Sequence, residues 1–448
     1  MTTKRFLYGL LVAALGANLL FGTKIYFQNA VAAEKDDPYP NLKLFSLVLE
    51  HVRQDYVEGD KLTYQDLIYG AMKGMLSSLD PHSEFMEPPK YNDLKSETQG
   101  EFGGVGIVIS AGKDGSIIVV APMEDTPGFK AGIQAGDRIV KIDGRTTERM
   151  NLQDAVKRMR GEAGTDVTLT LQRPATGVIK DYKLTRAAIK VDTVKDLSNR
   201  REFPVDAHKI GYLRMTQFGE QTVDEFEAAL KKLDKNGMKA LVFDLRNNPG
   251  GLLDTAVKVV EKFVPRGTLI VSTEGRDTKQ KVEYRATGGQ KYSELPVVVL
   301  VNEGSASASE IVSGALQDLT AKGKCRAVIL GEQTFGKGSV QSILPLQDGS
   351  ALRLTTAKYY TPSHKVIHEH GITPDIVVPM SYDEERDVTI KRTPGALDAQ
   401  PEEDQDRIRS AHDPQLERAL DLLKGLSIYS NRLPPPIKPG RSDKVAMN

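Results

Sequence analysis

Val297-Val298-Val299-Leu300-Val301-Asn302-Glu303-Gly304-Ser305-Ala306-Ser307-Ala308-Ser309-Glu310 runs from an unbroken apolar stretch into small residues. The apolar stretch reads as a buried strand, and residues 308–317 as the helix that follows it. Ser307 falls at the transition. A helix N-terminus offers unpaired N–H groups and the positive end of a dipole, which suit a developing oxyanion. The N–H of Ala308 is the natural donor.

The neighbouring segments share this design. Strands are expected over 210–215, 240–245, 269–272 and 327–330, and helices over 222–233 and 252–264. Strands alternating with helices imply an α/β core around a largely parallel sheet. Sites in such sheets form at the carboxyl ends of the strands. Residues 240–245 end there in Arg246-Asn247-Asn248-Pro249-Gly250-Gly251. Gly250 and Gly251 permit close approach of the backbone to a substrate and supply a second oxyanion donor.

A serine nucleophile needs a base. Phe335-Gly336-Lys337-Gly338-Ser339-Val340-Gln341 offers one in Lys337, whose flanking glycines allow tight packing. Free lysine, with a pKa of about 10.4, is protonated at neutral pH; burial or a nearby positive charge frees it. Gln341 is placed to accept a hydrogen bond from the amine without stabilising its charge. A hairpin is expected next, with strands 340–344 and 351–356 around Asp348-Gly349.

The N-terminus reads as an export signal: Lys4 and Arg5, the apolar run 6–21, then Ala30-Val31-Ala32-Ala33. Lys24 and Tyr26 leave an uncleaved anchor open. Residues 1–33 carry Lys4, Arg5, Lys24 and no acid, so cleavage takes the net charge from 0 to −3. Periplasmic location, or the outer face of the cytoplasmic membrane, is expected. Helical spacing then appears at Leu42, Leu44, Phe45, Val48, Leu49 and Val52, and a second helix over 63–79 stops at Asp80-Pro81-His82-Ser83. Past Pro379, residues 382–411 read as a poorly ordered acidic linker. Asp413-Pro414 then caps a helix over 415–423. The expected domains are 1–33, 34–98 (helical), 99–188 (small and β-rich), 189–380 (α/β) and 381–448.

Within 99–188, Phe102-Gly103-Gly104-Val105-Gly106-Ile107 sets glycines before and within an apolar strand. Such a loop turns N–H groups toward a terminal carboxylate while an extended peptide pairs with the strand edge. With Ala131-Gly132-Ile133-Gln134-Ala135-Gly136-Asp137-Arg138-Ile139-Val140-Lys141-Ile142-Asp143-Gly144 downstream, the stretch resembles a PDZ domain and its carboxylate-binding loop. That resemblance implies capture of a protein's C-terminal end at Gly103, Gly104, Val105, Gly106 and Ile107.

Taken together, residues 42–379 resemble the C-terminal processing (tail-specific) serine peptidases. The motifs are Leu79-Asp80-Pro81-His82-Ser83, the PDZ-like region, Asp244 to Gly251, the Ser-Ala-Ser-Ala-Ser-Glu run and Phe335-Gly336-Lys337-Gly338. The resemblance implies a crotonase/Clp-like α/β protease core with an inserted PDZ domain and terminal helical segments. It makes Ser307 the nucleophile, Lys337 the base and Gln341 its orienting residue, with Ser305 and Ser309 structural. Its partners would be proteins with exposed C-terminal tails, with an activating or adaptor protein, a homodimer through the terminal helices and an N-terminal membrane tether as further expectations. Residues 319–325 lengthen the Ser–Lys segment beyond the family's usual spacing.

Composition narrows the field. The 60 basic and 60 acidic residues cancel, which argues against a nucleic-acid partner. Cys325, the one cysteine, excludes an intramolecular disulfide and a thiolate cluster and reads as a buried structural thiol. His368-Glu369-His370 sets two imidazoles on one face of a strand without a third ligand nearby, so no metal is expected, and no organic cofactor. Two other readings share parts of the pattern. A non-catalytic PDZ scaffold calls for a degenerate Ser, Lys or Gln position, and none is degenerate. A crotonase-like thioester enzyme calls for a phosphate-cradling loop, which is not found.

Overall fold

The computed structural model describes residues 37–432, except 113–114, 124–125, 135, 175, 278–280, 289–290, 394–395 and 398–399. The side chains of 97, 121 and 430–432 are likewise outside the description, as are the expected export segment and the Pro-rich C-terminal stretch. The chain divides into two units between Pro81 and His82.

The first unit holds helices α1 (Pro38–Asp55) and α2 (Tyr64–Ser77). Asp37 caps α1, and Thr63 and Asp66 form a reciprocal capping box on α2. The expected apolar stripe of α1 is present but unburied: Leu42, Leu44, Phe45 and Val48 are all exposed.

The second unit opens with β1 (Glu84–Met86) and α3 (Pro88–Gln99). Helix α3 was not legible in the sequence, because Leu94 is its sole aliphatic residue and no apolar stripe marks it. Then come β2 (Glu101–Gly104), β3 (Ile107–Ala111), β4 (Ile117–Pro122), α4 (Pro127–Lys130), β5 (Arg138–Ile142), β6 (Arg145–Thr146), α5 (Leu152–Met159), β7 (Asp166–Arg173), β8 (Val178–Thr185) and β9 (Ala187–Lys190). Strands β3-β4-β5-β7-β8 form an antiparallel sheet with β3 at its edge. Val119, Ile139, Ile142, Ala155 and Leu169 fill its own core. Strands β2 and β9 pair with each other, so the chain enters and leaves this domain side by side.

The α/β core follows: β10 (Val194–Lys195), β11 (Ile210–Met215), α6 (Thr222–Lys235), β12 (Ala240–Asp244), α7 (Leu253–Val260), β13 (Leu269–Gly275), β14 (Val282–Arg285), β15 (Val297–Val301), α8 (Ala308–Ala321), β16 (Ala327–Gly331), β17 (Ser339–Pro345), β18 (Ala351–Tyr360) and β19 (Ile376–Val377). Helices α9 (Tyr382–Arg392), α10 (Glu402–Arg409) and α11 (Pro414–Arg432) close the chain. The main sheet has the order β10-β11-β12-β15-β16-β19 and is parallel except at β10. Phe243, Val299 and Val301 meet α6, α7 and α8 on one face, whereas Val242, Val298 and Leu300 meet Leu416, Ala419 and Leu423 of α11 on the other. Burial on both faces explains the unbroken apolar run of β15.

Two sequence readings are corrected. Residues 269–272 do not join the parallel sheet. As part of β13 they pair antiparallel with β14 and β18, in a second sheet completed by β1 and β17. The segment 382–411 is not a loose linker. It forms α9, with a Ser381/Glu384 capping box, and α10, and Asp387 is buried in ion pairs with Arg386 and Arg407. Internal charge pairing lets so polar a stretch order.

Candidate active site

Strands β12 and β15 are parallel neighbours, with Asp244 beside Leu300, so the loops after them leave at the same end of the sheet. Hydrogen bonds stitch these loops together. Asn302 Oδ1 accepts the Asn247 N–H at 2.8 Å, and Asn302 donates to Asn247 Oδ1 at 3.0 Å. Ser305 Oγ donates to the Leu245 carbonyl and Ser309 Oγ to the Asn248 carbonyl, each at 2.8 Å. Both serines are fully buried, so their hydroxyls are consumed by structure.

Ser307 differs. It stands at the N-cap of α8, half-buried, with φ 56° and ψ −111°, a sparsely populated region that persists only where its surroundings impose it. Gly250 lies against it: a Cβ there meets the Ala306 carbonyl oxygen at 2.7 Å, and the Ala308 nitrogen and Ser307 Cβ at 2.8 Å. Only glycine fits this approach, at φ 98°. The Gly250 N–H itself is spoken for, donating to Asn248 Oδ1 at 2.9 Å. The N–H groups of Gly251 and Ala308 have no hydrogen-bond partner among the described residues. Of the expected oxyanion residues, Gly251 and Ala308 therefore carry available donors, and Gly250 provides the room.

Lys337 arrives from the second sheet, just before β17. Its loop lies flat against Ile367–Gly371: Gly336 O accepts the Glu369 N–H at 2.8 Å, and Gly338 leaves no space for a Cβ beside the His368 backbone. His368-Glu369-His370 is thus a turn backing the lysine loop, not a strand bearing two imidazoles on one face. Glu310 ties the loop to the serine. Its Oε1 accepts Thr334 Oγ1 (2.6 Å) and Gly336 N–H (2.7 Å), and its Oε2 accepts Ser307 N–H (2.7 Å) and Lys337 N–H (2.9 Å). Burial raises the Glu310 carboxyl above its ordinary value against the pull of those donors.

A cavity of about 430 Å³ holds Ser307, Lys337, Gln341, Gly250 and Gly251 together, with Arg353 beside them. Leu94, Phe218, Leu252, Val340 and Ile343 give it apolar walls. Burial lowers the Lys337 amine below its ordinary value, and Arg353 adds to this while Glu310 opposes it. Gln341 Nε2 donates to Thr355 Oγ1 (2.9 Å) and Ser339 Oγ (3.1 Å). Its Oε1 is buried without a partner among the described residues, an acceptor left open in the same cavity as the lysine. Sequence reasoning missed Glu310, Asn248, Asn302, Thr355 and Arg353; only Glu310, three residues after the N-cap, carried a signal, that of a capping box.

The PDZ-like loop residues lie apart; none of the five lines this cavity. Gly103 and Gly104 belong to β2 and pair with β9. Val105, Gly106 and Ile107 make the turn into edge strand β3, and the Val105 and Gly106 N–H groups have no partner among the described residues. Cys325 is buried, with its thiol raised by burial, and residues 319–325 form the last turn of α8 and the bend after it.

Residues 209–378 match the model of peptidase family S41, and residues 118–173 that of a PDZ domain. The carboxy-terminal-processing protease of Bartonella bacilliformis is 43% identical over 427 residues, which are 92% of this chain and 94% of that protein. The carboxyl-terminal-processing protease of a Synechocystis species is 35% identical over 383 residues, 82% of this chain and 87% of the relative. The crystal structure of a putative S41 protease from Bacteroides fragilis has a similar fold, with TM-score 0.50 and 17% identity, covering 85% of this chain and 97% of that one.

Proposed function

Since the chain belongs to the carboxy-terminal processing serine proteases of peptidase family S41, we propose that it grips substrate proteins by their C-terminal tails and cuts them with a Ser307/Lys337 dyad. The observation that carries this reading is the shared cavity of Ser307, Lys337 and Gln341, with Gln341 Oε1 left open as an acceptor. Ser307 Oγ attacks the scissile carbonyl carbon as the neutral Lys337 amine takes its proton. The N–H groups of Gly251 and Ala308 bind the oxyanion. The C–N bond breaks, the Lys337 ammonium protonates the leaving amine, and Ser307 keeps the acyl group as an ester. Lys337 then deprotonates water, which releases the new carboxylate and restores the serine. Gln341 orients the amine between these steps.

The free N–H groups at Val105 and Gly106 and the open edge of β3 support tail capture by β-augmentation. The two-faced parallel sheet with a second sheet carrying the base supports the crotonase/Clp-like reading of the core. Lys4, Arg5 and the apolar run 6–21 support export, with tethering if that run is retained. The exposed apolar face of α1 favours self-association; an adaptor or activator remains part of the same reading.

The test is cleavage of an unfolded model protein with an apolar C-terminal residue, as free acid or amide, by wild type, Ser307→Ala and Lys337→Ala. Activity confined to wild type and stronger on the free acid supports dyad and tail capture alike. Full activity in Ser307→Ala overturns the dyad, and equal rates on acid and amide overturn tail capture.

A further inference from the structure

The segment His82-Ser83-Glu84 takes no part in the proposed chemistry, yet it lies directly behind it. Strand β1 pairs antiparallel with β18, placing Glu84 opposite Arg353, and Phe85 and Met86 bury it firmly. Glu84 Oε2 accepts Arg353 Nη2 at 2.8 Å, and the His82 carbonyl accepts Arg353 Nε at 3.2 Å. Ser83 Oγ accepts the Thr355 N–H at 3.1 Å, and Thr355 Oγ1 in turn accepts Gln341 Nε2 at 2.9 Å. This short segment at the start of β1 thus fixes both the guanidinium that lines the lysine's cavity and the hydroxyl that receives Gln341.

We propose that Arg353 is a positioning residue whose positive charge, clamped by Glu84 and His82, keeps Lys337 unprotonated for its work as base. This rests on the dyad reading above. A fixed cation disfavours a second cation nearby, and a guanidinium is suited to the task because it does not itself deprotonate. Holding it through a fork of donors prevents it from swinging away into water. Among the described residues, the other titratable groups around Lys337 are Glu310 of α8, which accepts its N–H, Tyr359 of β18, which lines the same cavity, and His368 and Glu369, whose backbone packs against Gly338 and Gly336. Glu310 works in the opposite sense, so Arg353 is the cation that offsets it. Glu84 also pairs with Lys90. Burial first and Arg353 second lower the amine.

The experiment is the pH profile of kcat/KM on the unfolded model protein for full-length wild type, Arg353→Gln, Arg353→Met, Arg353→Lys and Lys337→Ala. Its acidic limb reports the free enzyme's base. Arg353→Gln is expected to move that limb to higher pH, cutting kcat/KM below it about tenfold per unit of movement while the alkaline plateau converges on wild type. Arg353→Lys is expected to hold the limb in place. Arg353→Met, which keeps an apolar stem without the charge, is expected to move it as Arg353→Gln does. A limb that stays at its wild-type position in Arg353→Gln, whatever the height of the plateau, overturns the proposal as a purely structural role. Should Arg353→Gln not fold, an unmoved limb in Arg353→Met overturns it equally. Activity in Lys337→Ala is the separate result that removes the dyad itself.

Discussion

Ser307 and Lys337 hang on a single oxygen: Glu310 Oε2 accepts the backbone N–H of both, at 2.7 Å and 2.9 Å. The Ser307 loop and the Lys337 loop come from different sheets, and this carboxylate fixes their spacing. Glu310→Gln places an amide NH₂ against at least one pair of inward-facing donors. We expect kcat to fall about tenfold or more with little change in KM, and stability to fall by about 1–3 kcal/mol. Steady-state kinetics and urea unfolding check the two arms.

Gly250→Ala is expected to disable the enzyme through sterics alone. The added methyl group meets the Ser307 Cβ and the Ala308 nitrogen at 2.8 Å, on a backbone at φ 98°. We expect a loss in kcat/KM of about a hundredfold, the scale of a damaged oxyanion site, and about 1–3 kcal/mol of strain. Retention of wild-type kinetics would falsify the placement of the oxyanion beside Gly250.

Lys337 should trade stability for activity. Its amine lies below the ordinary 10.5, first because of burial and then because of Arg353. Between the lowered folded value and 10.5 the unfolded chain binds more protons, so stability rises with pH across that window. Lys337→Met should lose activity by about a thousandfold or more and yet melt higher than wild type near pH 7. The melting difference should shrink as pH approaches the lysine's ordinary value, which calorimetry across pH would follow.

The C-terminal helices should prove necessary to the core. Asp413 accepts Arg246 at 2.9 and 3.0 Å and Arg392 at 2.7 Å, all largely out of water, and Arg246 also binds Asp244. Breaking such a buried set by removing one partner costs about 3–5 kcal/mol, the loss expected for Asp413→Asn in urea unfolding. Burial raises the Asp244 and Asp413 carboxyls, but Arg246 outweighs it and both end below 3.8. Their contribution is therefore complete above that ordinary value and is lost as pH falls through the depressed ones. Acid unfolding of the wild type should be steeper than that of Asp413→Asn.

Glu385 extends the same link. It accepts from Asn247 and Asn302 at 2.5 and 2.8 Å, at the loops that present Gly250 and Ser307. Glu385→Ala should lower kcat by several-fold while leaving the melting temperature within a few degrees, since its loss loosens loop ends without opening the core. A drop in melting temperature with unaltered kcat would count against that role.

The strand-to-helix step at Ser307, the glycines at 250 and 251, the flanked Lys337 and the β-rich 99–188 region were legible because each is a local pattern. Apolar runs, turn residues and caps act within a few positions of one another. The order hidden in 382–411 was illegible for the opposite reason: α9 and α10 are held by charge pairs and by Asn199, Asn247 and Asn302, contributed by distant segments. Helix α3 escaped notice because its role is to wall the cavity with Leu94 and Thr98, not to fill a core.

By itself, then, the sequence determined the α/β core, the inserted β-rich domain and the candidate nucleophile and base, because periodicity and turn chemistry are written locally. Tertiary structure alone decided that β13 leaves the parallel sheet, that Asn248 occupies the Gly250 N–H, and that Glu310 joins serine to lysine. It also decided that Glu84 reaches Arg353 across 269 positions. Contacts at that separation depend on how finished elements pack and in what register, and no short-range pattern in a single chain encodes them.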